Sequence, residues 1–266
     1  MPSHFPRAVT GRLLEGRTAV ISGAGRARGI GKATARLFLQ HGAAVALLDL
    51  DEDEVAQAAL ELAEGGGQTI GLRCDVADME SCRAAIQRVL QWGASGGRID
   101  VLVNNAGITQ KRGVVDITDD DYRLVTDVVL RGTIQLSQAA IPAMRQQGSG
   151  SIVAVSSMSA QQGGGIFGGA HYCAAKAGVL GFTRALAREL GPDGIRANAI
   201  TPGLTLTDFS RSGSTDEAKH AVAKDWPLRR AGSPDEIAGA CLFLASDLSS
   251  YVTGTTLDVN GGAYLR

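Results

Sequence analysis

Short apolar runs alternate with longer stretches of helical periodicity along almost the whole chain of 266 residues. No other feature constrains the fold as tightly. The runs are TAVIS (18–22), AAVALLDL (43–50), TIGLRCDV (69–76), IDVLVNNAG (99–107), SIVAVSS (151–157), IRANAITPG (195–203) and TTLDVNGG (255–262). Between the first two lies GKATARLFLQHG, with Ala33, Leu37 and Phe38 at helical spacing. Further helices are expected over DEDEVAQAALELAEGGG, around MESCRAAIQRVLQW, from Thr118 to Gln147, and from Tyr172 to Leu190 before Gly191-Pro192. SPDEIAGACLFLAS begins like a capped helix. Runs that are apolar throughout suit parallel strands covered by helices on both faces. The unbroken repetition predicts one α/β domain over 15–266, a doubly wound Rossmann-type parallel sheet of about seven strands, after an N-terminal extension at 1–14. Mixed polar sequence at 204–230 interrupts the pattern above a strand's carboxyl end and is expected to form a substrate lid.

Charge and composition remove several classes of function. A net charge of −1 with no dense Lys/Arg block argues against nucleic acid and anionic membranes as partners. No apolar run reaches the ~18 residues of a membrane span. The start, MPSHFPRAVTGR, lacks the apolar core of a signal peptide. Cys74, Cys82, Cys173 and Cys241 form neither a C-x-x-C pair nor a zinc spacing, so they read as reduced thiols of a cytoplasmic protein, with no metal site.

SGAGRARGIG (22–31) directly follows the first strand and opens the first helix, the phosphate position of a doubly wound sheet. Started at Gly23, G-x-G-x-x-G fails, because its third glycine would fall on Arg28. Two registers stay open: Gly23, Gly29 and Gly31 with two extra residues, or Gly25 in the first position. Asp49 ends the second strand 24 residues after Gly25, near the spacing of about 20 for an acid that binds the adenosine ribose. Such a carboxylate accepts from ribose hydroxyls and repels a 2′-phosphate, which favours NAD over NADP. Arg26 and Arg28 pull toward NADP. Alternatively, Asp49 merely starts an acidic surface helix with Asp51, Glu52 and Asp53.

In HYCAAKAG, Tyr172 and Lys176 are spaced i, i+4 on one helical face. An ammonium and a positive nicotinamide ring would lower the tyrosine pKa, allowing proton exchange with an alcohol or carbonyl oxygen. Alone, Y-x-x-x-K is worth little.

The ordered set of glycine loop, Asp49, Asp75, NNAG, SS, YxxxK, PG and terminal TG…NGG resembles the short-chain dehydrogenase/reductase family across residues 15–263. The resemblance implies the family's fold and a homo-oligomer, dimer or tetramer, built partly on the fourth and fifth helices. It implies that Tyr172 is the acid/base and that Lys176 holds the nicotinamide ribose. The cofactor would be held by Ser22, Gly23, Gly25, Arg28, Gly29 and Ile30 of the loop, by Asp49 and Leu50, by Asp75 and Val76 at the adenine, and by Asn105, Ala106 and Gly107 beneath the adenosine. Pro202-Gly203-Leu204-Thr205-Leu206-Thr207 looks like the P-G-x-x-x-T stretch that fixes the carboxamide, with Thr205 and Thr207 contributing. The family's serine is either Ser159, by its usual distance from the tyrosine, or Ser157, at the strand end; Ser157 is preferred because strand ends are fixed while loop lengths vary. Ser156, on the other side of the strand, is expected to be structural.

One departure is substantive. Where the family carries asparagine in N-L-x-G, this chain reads Val129-Leu130-Arg131-Gly132, and valine offers no side-chain hydrogen bond. The expected activity is NAD(H)-dependent interconversion of a small secondary alcohol, a polyol or hydroxy acid, with its ketone. Small glycine-rich walls at 161–171 suit a small polar substrate, and His220 reads as a solvated lid residue. The competing readings are an NADPH-dependent 3-oxoacyl-thioester reductase and, given Val129, a weakly active nucleotide sensor or scaffold.

Overall fold

The structure is a computed structural model and describes residues 11–164, 168–209 and 215–265. The first ten residues of the expected extension, 165–167 of the glycine-rich segment and 210–214 of the expected lid lie outside that range. Seven parallel strands, β1 (Thr18–Ser22), β2 (Ala44–Asp49), β3 (Thr69–Arg73), β4 (Val101–Asn104), β5 (Gly150–Val155), β6 (Ile195–Pro202) and β7 (Thr256–Val259), form one sheet in the order β3-β2-β1-β4-β5-β6-β7. The helices are α1 (Ile30–Gln40), α2 (Glu52–Ala63), α3 (Met79–Gln91), α4 (Asp119–Thr126), α5 (Gly132–Gln147), α6 (Ser159–Gln162), α7 (Ala170–Leu190), α8 (Asp216–Val222) and α9 (Pro234–Ala245). This is a single Rossmann-like domain.

The period of two in a strand divides the core between the sheet's faces. Ala19, Ile21, Val45, Leu47, Val101 and Val103 pack with Phe38 of α1, Val55 of α2 and Ile237 of α9. Val20, Ala46, Leu48, Leu102 and Ile152 pack with Ile86 of α3, Leu136 of α5 and Leu190 of α7. Burying both faces explains why these strands read as continuous apolar runs. The edge strands β3 and β7 are only half-buried along their length. Packing starts slightly before the expected boundary at 15. Leu14 is fully buried, and its backbone N–H donates to the His41 carbonyl at 2.9 Å.

Helix starts follow capping chemistry. Thr118 with Asp121 and Ser233 with Glu236 form capping boxes for α4 and α9, the latter with Pro234 in its first turn. The expected long helix over 118–147 is interrupted: Asp127–Arg131 make a π-helical turn between α4 and α5, centred on Val129. Two strands end earlier than their apolar runs. β3 stops at Arg73 and β4 at Asn104, and in each case the continuing chain leaves the sheet to line a cavity. The neighbours of β1 are β2 and β4, so the strand order reverses there, and the ligand crevice of such a sheet opens at its carboxyl edge. No described helix is long and apolar enough to cross a membrane.

Candidate active site

A cavity of about 810 Å³ opens at that edge. One part of its wall includes Gly23, Gly29 and Ile30, then Asp49 and Leu50, then Asp75 and Val76. Asn105, Ala106 and Gly107 form its floor, and Pro202, Gly203, Thr205 and Thr207 line the far side. Ser157, Tyr172 and Lys176 lie on the same cavity.

The glycine loop resolves its own register. Gly23 has φ +65°, and a Cβ there would stand 2.8 Å from the Ala106 Cα. A Cβ at Gly31 would meet the Gly23 carbonyl oxygen at 2.4 Å. Gly23, Gly29 and Gly31 are therefore the structural set, with two extra residues between the first two. Gly25 instead faces Asp49: its N–H donates to Oδ2 at 2.8 Å, while the Leu50 N–H donates to Oδ1 at 2.8 Å. Asp49 does not start the acidic helix, since Asp51 caps α2.

Three residues expected at the cofactor stand outside the cavity wall. Ser22 is buried, and its Oγ accepts the N–H groups of Asn105 and Ala106, both at 3.1 Å. It staples the asparagine segment to β1, aided by Asn105 Nδ2 donating to the Ser22 and Gly23 carbonyls at 2.9 Å. Gly25 is turned toward Asp49. Arg28 does not line the cavity and pairs with Asp216 of α8 at 2.6 Å and with Asp208 at 3.7 Å. Its neighbour Arg26 lines the cavity and donates to the Asp208 carbonyl at 3.2 Å. The inserted arginines thus tie the glycine loop to the segment after β6. The sequence shows only their charge, which suits a phosphate, because partners some 180 residues away leave no local signal.

At the chemical end, Tyr172 is buried with the Ser157 side chain close enough to its hydroxyl to lower its pKa, and the Ser157 Oγ accepts the Ser159 N–H at 3.1 Å. Of the two candidate serines, Ser157 is therefore the one whose side chain acts on the tyrosine hydroxyl. Ser156 turns inward and donates to the Lys176 carbonyl at 2.8 Å. Lys176 is buried, and its Nζ stands 5.9 Å from the Tyr172 ring centroid and donates to the Val155 carbonyl at 2.7 Å. Burial holds this lysine down to about 8. Burial also pushes Tyr172 up to about 12, against the pull of the Ser157 hydrogen bond. This differs from the expected lowering by the lysine, because desolvation of the phenolate outweighs the surrounding groups here. A Cβ at Gly107 would sit 3.5 Å from Lys176 Nζ and 3.9 Å from Val129 Cγ2. Val129, fully buried, therefore presents methyl groups beside the lysine's environment.

Sequence reasoning missed a buried relay that fixes the tyrosine's helix. His171 Nε2 bonds Gln110 Oε1 at 2.9 Å, and Gln110 Nε2 donates to Asp121 Oδ1 at 2.5 Å. Arg112 pairs with the other Asp121 oxygen at 2.9 Å, and Asp121, hydrogen-bonded to Gln110 and Thr118, is held down to about 2. Its signal was faint: a histidine beside the Y-x-x-x-K and a polar loop after NNAG. His220, by contrast, is exposed and accepts the Ala231 N–H at 3.3 Å.

The cradle suits a dinucleotide. The loop's close approaches leave no room for a Cβ at Gly23 or Gly31, and α1 begins at Gly29 with neither a side-chain cap nor an acid in its first turn. Its first N–H groups are open to an anion.

Comparison with known proteins agrees with this geometry. A family model described as Enoyl-(Acyl carrier protein) reductase matches residues 23–264. An uncharacterized short-chain type dehydrogenase/reductase of Sinorhizobium fredii is 54% identical, covering 96% of this chain and 100% of its own. An L-rhamnose 1-dehydrogenase (NAD(P)(+)) of Azotobacter vinelandii is 39% identical over 96% of this chain and 99% of its own. The crystal structure of a 3-oxoacyl-[acyl-carrier protein] reductase from Brucella melitensis superposes with a TM-score of 0.87 at 37% identity, covering 96% of this chain and 94% of that one. The chain belongs to the short-chain dehydrogenase/reductase family. It is an oxidoreductase of the class that acts on CH–OH groups with NAD(P).

Proposed function

We propose that this chain interconverts a small secondary alcohol, a polyol or hydroxy acid, and its ketone with NAD(H) as the preferred cofactor. The observation that carries the reading is that Tyr172, Ser157 and Lys176 line one cavity together with the Asp49 carboxylate. Tyr172 gives a proton to the ketone oxygen in reduction and takes it from the alcohol in oxidation. Ser157 donates to the same oxygen and orients it, and Lys176 anchors the ribose. A bound nicotinamide supplies or accepts the hydride. With its pKa held up by burial, Tyr172 is protonated but a weak acid, and both directions of the reaction require the phenolate to be favoured by positive charge arriving beside it. Asp49 accepts from ribose hydroxyls, and a 2′-phosphate beside its carboxylate is repelled.

A second reading, an NADPH-dependent 3-oxoacyl-thioester reductase, draws on Arg26 at the cavity and on the similarity to the Brucella reductase. Asp49 opposes it. The family resemblance further suggests a homotetramer or dimer, which sedimentation would measure. Initial rates with NAD and NADP over polyols, hydroxy acids and 3-oxoacyl thioesters decide between the readings. NAD-linked turnover on a small alcohol supports the first, NADPH-linked thioester reduction the second, and cofactor binding without turnover a sensor.

A further inference from the structure

Lys219 of α8 is 3% exposed and lines the cavity that holds Tyr172 and Lys176. Its Nζ donates to the Thr207 carbonyl at 2.6 Å, which uses one of three ammonium donors. Among the described residues no carboxylate lies within ion-pair distance of it. The other charges on this wall are answered. The Asp49 oxygens take the Gly25 and Leu50 N–H groups, and Asp75 Oδ1 takes the Ala77 N–H at 2.9 Å. Asp208 faces Arg28. Lys176, like Lys219, is bonded to a backbone carbonyl alone, that of Val155, but Lys176 is the lysine already placed beside Tyr172.

A buried ammonium without a counter-charge is costly, and the cost falls when a ligand supplies the anion. Phe209, Val222 and Trp226 add apolar surface to the same cavity, and burial of Lys219 itself strengthens such a pairing. We propose that Lys219 binds an anionic group, carboxylate or phosphate, carried by the substrate, and so selects oxo and hydroxy acids or sugar phosphates over neutral alcohols. The proposal rests on the cavity being the alcohol/ketone site described above. It assigns to α8 a specificity role that neither spacing nor the arginine contacts suggest.

The test is calorimetric binding to the full-length enzyme saturated with NAD⁺, which has no hydride to give to a ketone. The probes are acetoacetate against acetone, and dihydroxyacetone phosphate against dihydroxyacetone. At least one anion should bind tighter than its neutral partner by about tenfold to a hundredfold, the range for a hydrogen bond to a charged group. The pair that shows the preference identifies the anion. Lys219→Met should erase that ratio, and Lys219→Arg should retain it. Wild-type ratios near one in both pairs overturn the proposal without any variant, as does a preference that survives in Lys219→Met. An equal loss for the anion and its neutral partner would make Lys219 a structural tie to Thr207. A loss confined to NAD⁺ affinity would make it a cofactor residue. Either result also overturns the proposal. Failure of the alcohol/ketone reading is seen separately, as the absence of Tyr172-dependent turnover, and leaves the binding ratios readable.

Discussion

Lys176 Nζ lies over the Tyr172 ring, 5.9 Å from its centroid, and donates to the Val155 carbonyl at 2.7 Å. The ammonium is thus held by the end of β5 within a shell that Val129 makes apolar on one side. Burial at this point has consequences for stability, for pH dependence and for the direction in which the tyrosine works.

Lys176 titrates near 8 in the folded chain and near 10.5 when unfolded. Between those values the unfolded chain binds the proton that the folded chain has released, so this group makes stability rise with pH across that window. The penalty is fully present below pH 8 and gone above 10.5. Tyr172 acts oppositely, losing stability as pH rises from about 10 toward 12, but it is common to wild type and Lys176→Met. Chemical denaturation of the two at pH 8 and 10.5 should show the wild type gaining on the variant by of order 3 kcal/mol.

Asp49→Asn keeps an acceptor for the Gly25 N–H while removing the charge. The ratio of kcat/KM for NAD over NADP should fall by about tenfold or more, since a like-charge contact costs several kcal/mol. An unchanged ratio would place the cofactor discrimination elsewhere.

Arg28 makes the complementary case. Its guanidinium is committed to Asp216 and Asp208, both exposed, so Arg28→Ala should leave the NAD/NADP ratio within about twofold and cost under about 1 kcal/mol, as exposed ion pairs do. Steady-state kinetics with both cofactors and one melting curve check this.

Val129 is fully buried in the π-helical turn. Val129→Asn brings an amide into that shell and should cost about 1–3 kcal/mol of stability unless water reaches it. Hydride-transfer rates and their pH profile should be preserved, because Tyr172 and the positioning of substrate carry the chemistry. A large gain in rate would show that the missing asparagine has been limiting turnover.

Much of the architecture is written locally, and the reason is burial on both faces. β1, β2 and β5 carry unbroken apolar runs (AVI, AVALL and IVAV), so their existence and parallel packing are legible one strand at a time, while β6 mixes Arg196, Asn198 and Thr201 among its apolar residues. Asp49 and the Tyr172/Lys176 pair were legible because strand ends and helical spacing place them. The rest depends on contacts between distant segments. Cys74–Val76 and Asn105–Gly107 are as apolar or β-like as the strands they extend, yet they leave the sheet because the cavity must open there. Arg28 finds Asp216, and Gln110 links His171 to Asp121, through the tertiary fold alone. The upward shift of Tyr172 follows from how deeply α7 seats it, which spacing does not encode.

The claim on which the account turns is that Tyr172 moves the proton. Single-turnover reduction of a turned-over ketone by enzyme-bound NADH, followed by the loss of NADH absorbance, measures this directly for wild type and Tyr172→Phe. The account predicts a rate lower by about 10²–10⁴-fold in the variant, the usual worth of general acid catalysis, with NADH affinity unchanged. Transfer at a rate within a few-fold of wild type would contradict it and assign the proton to another group.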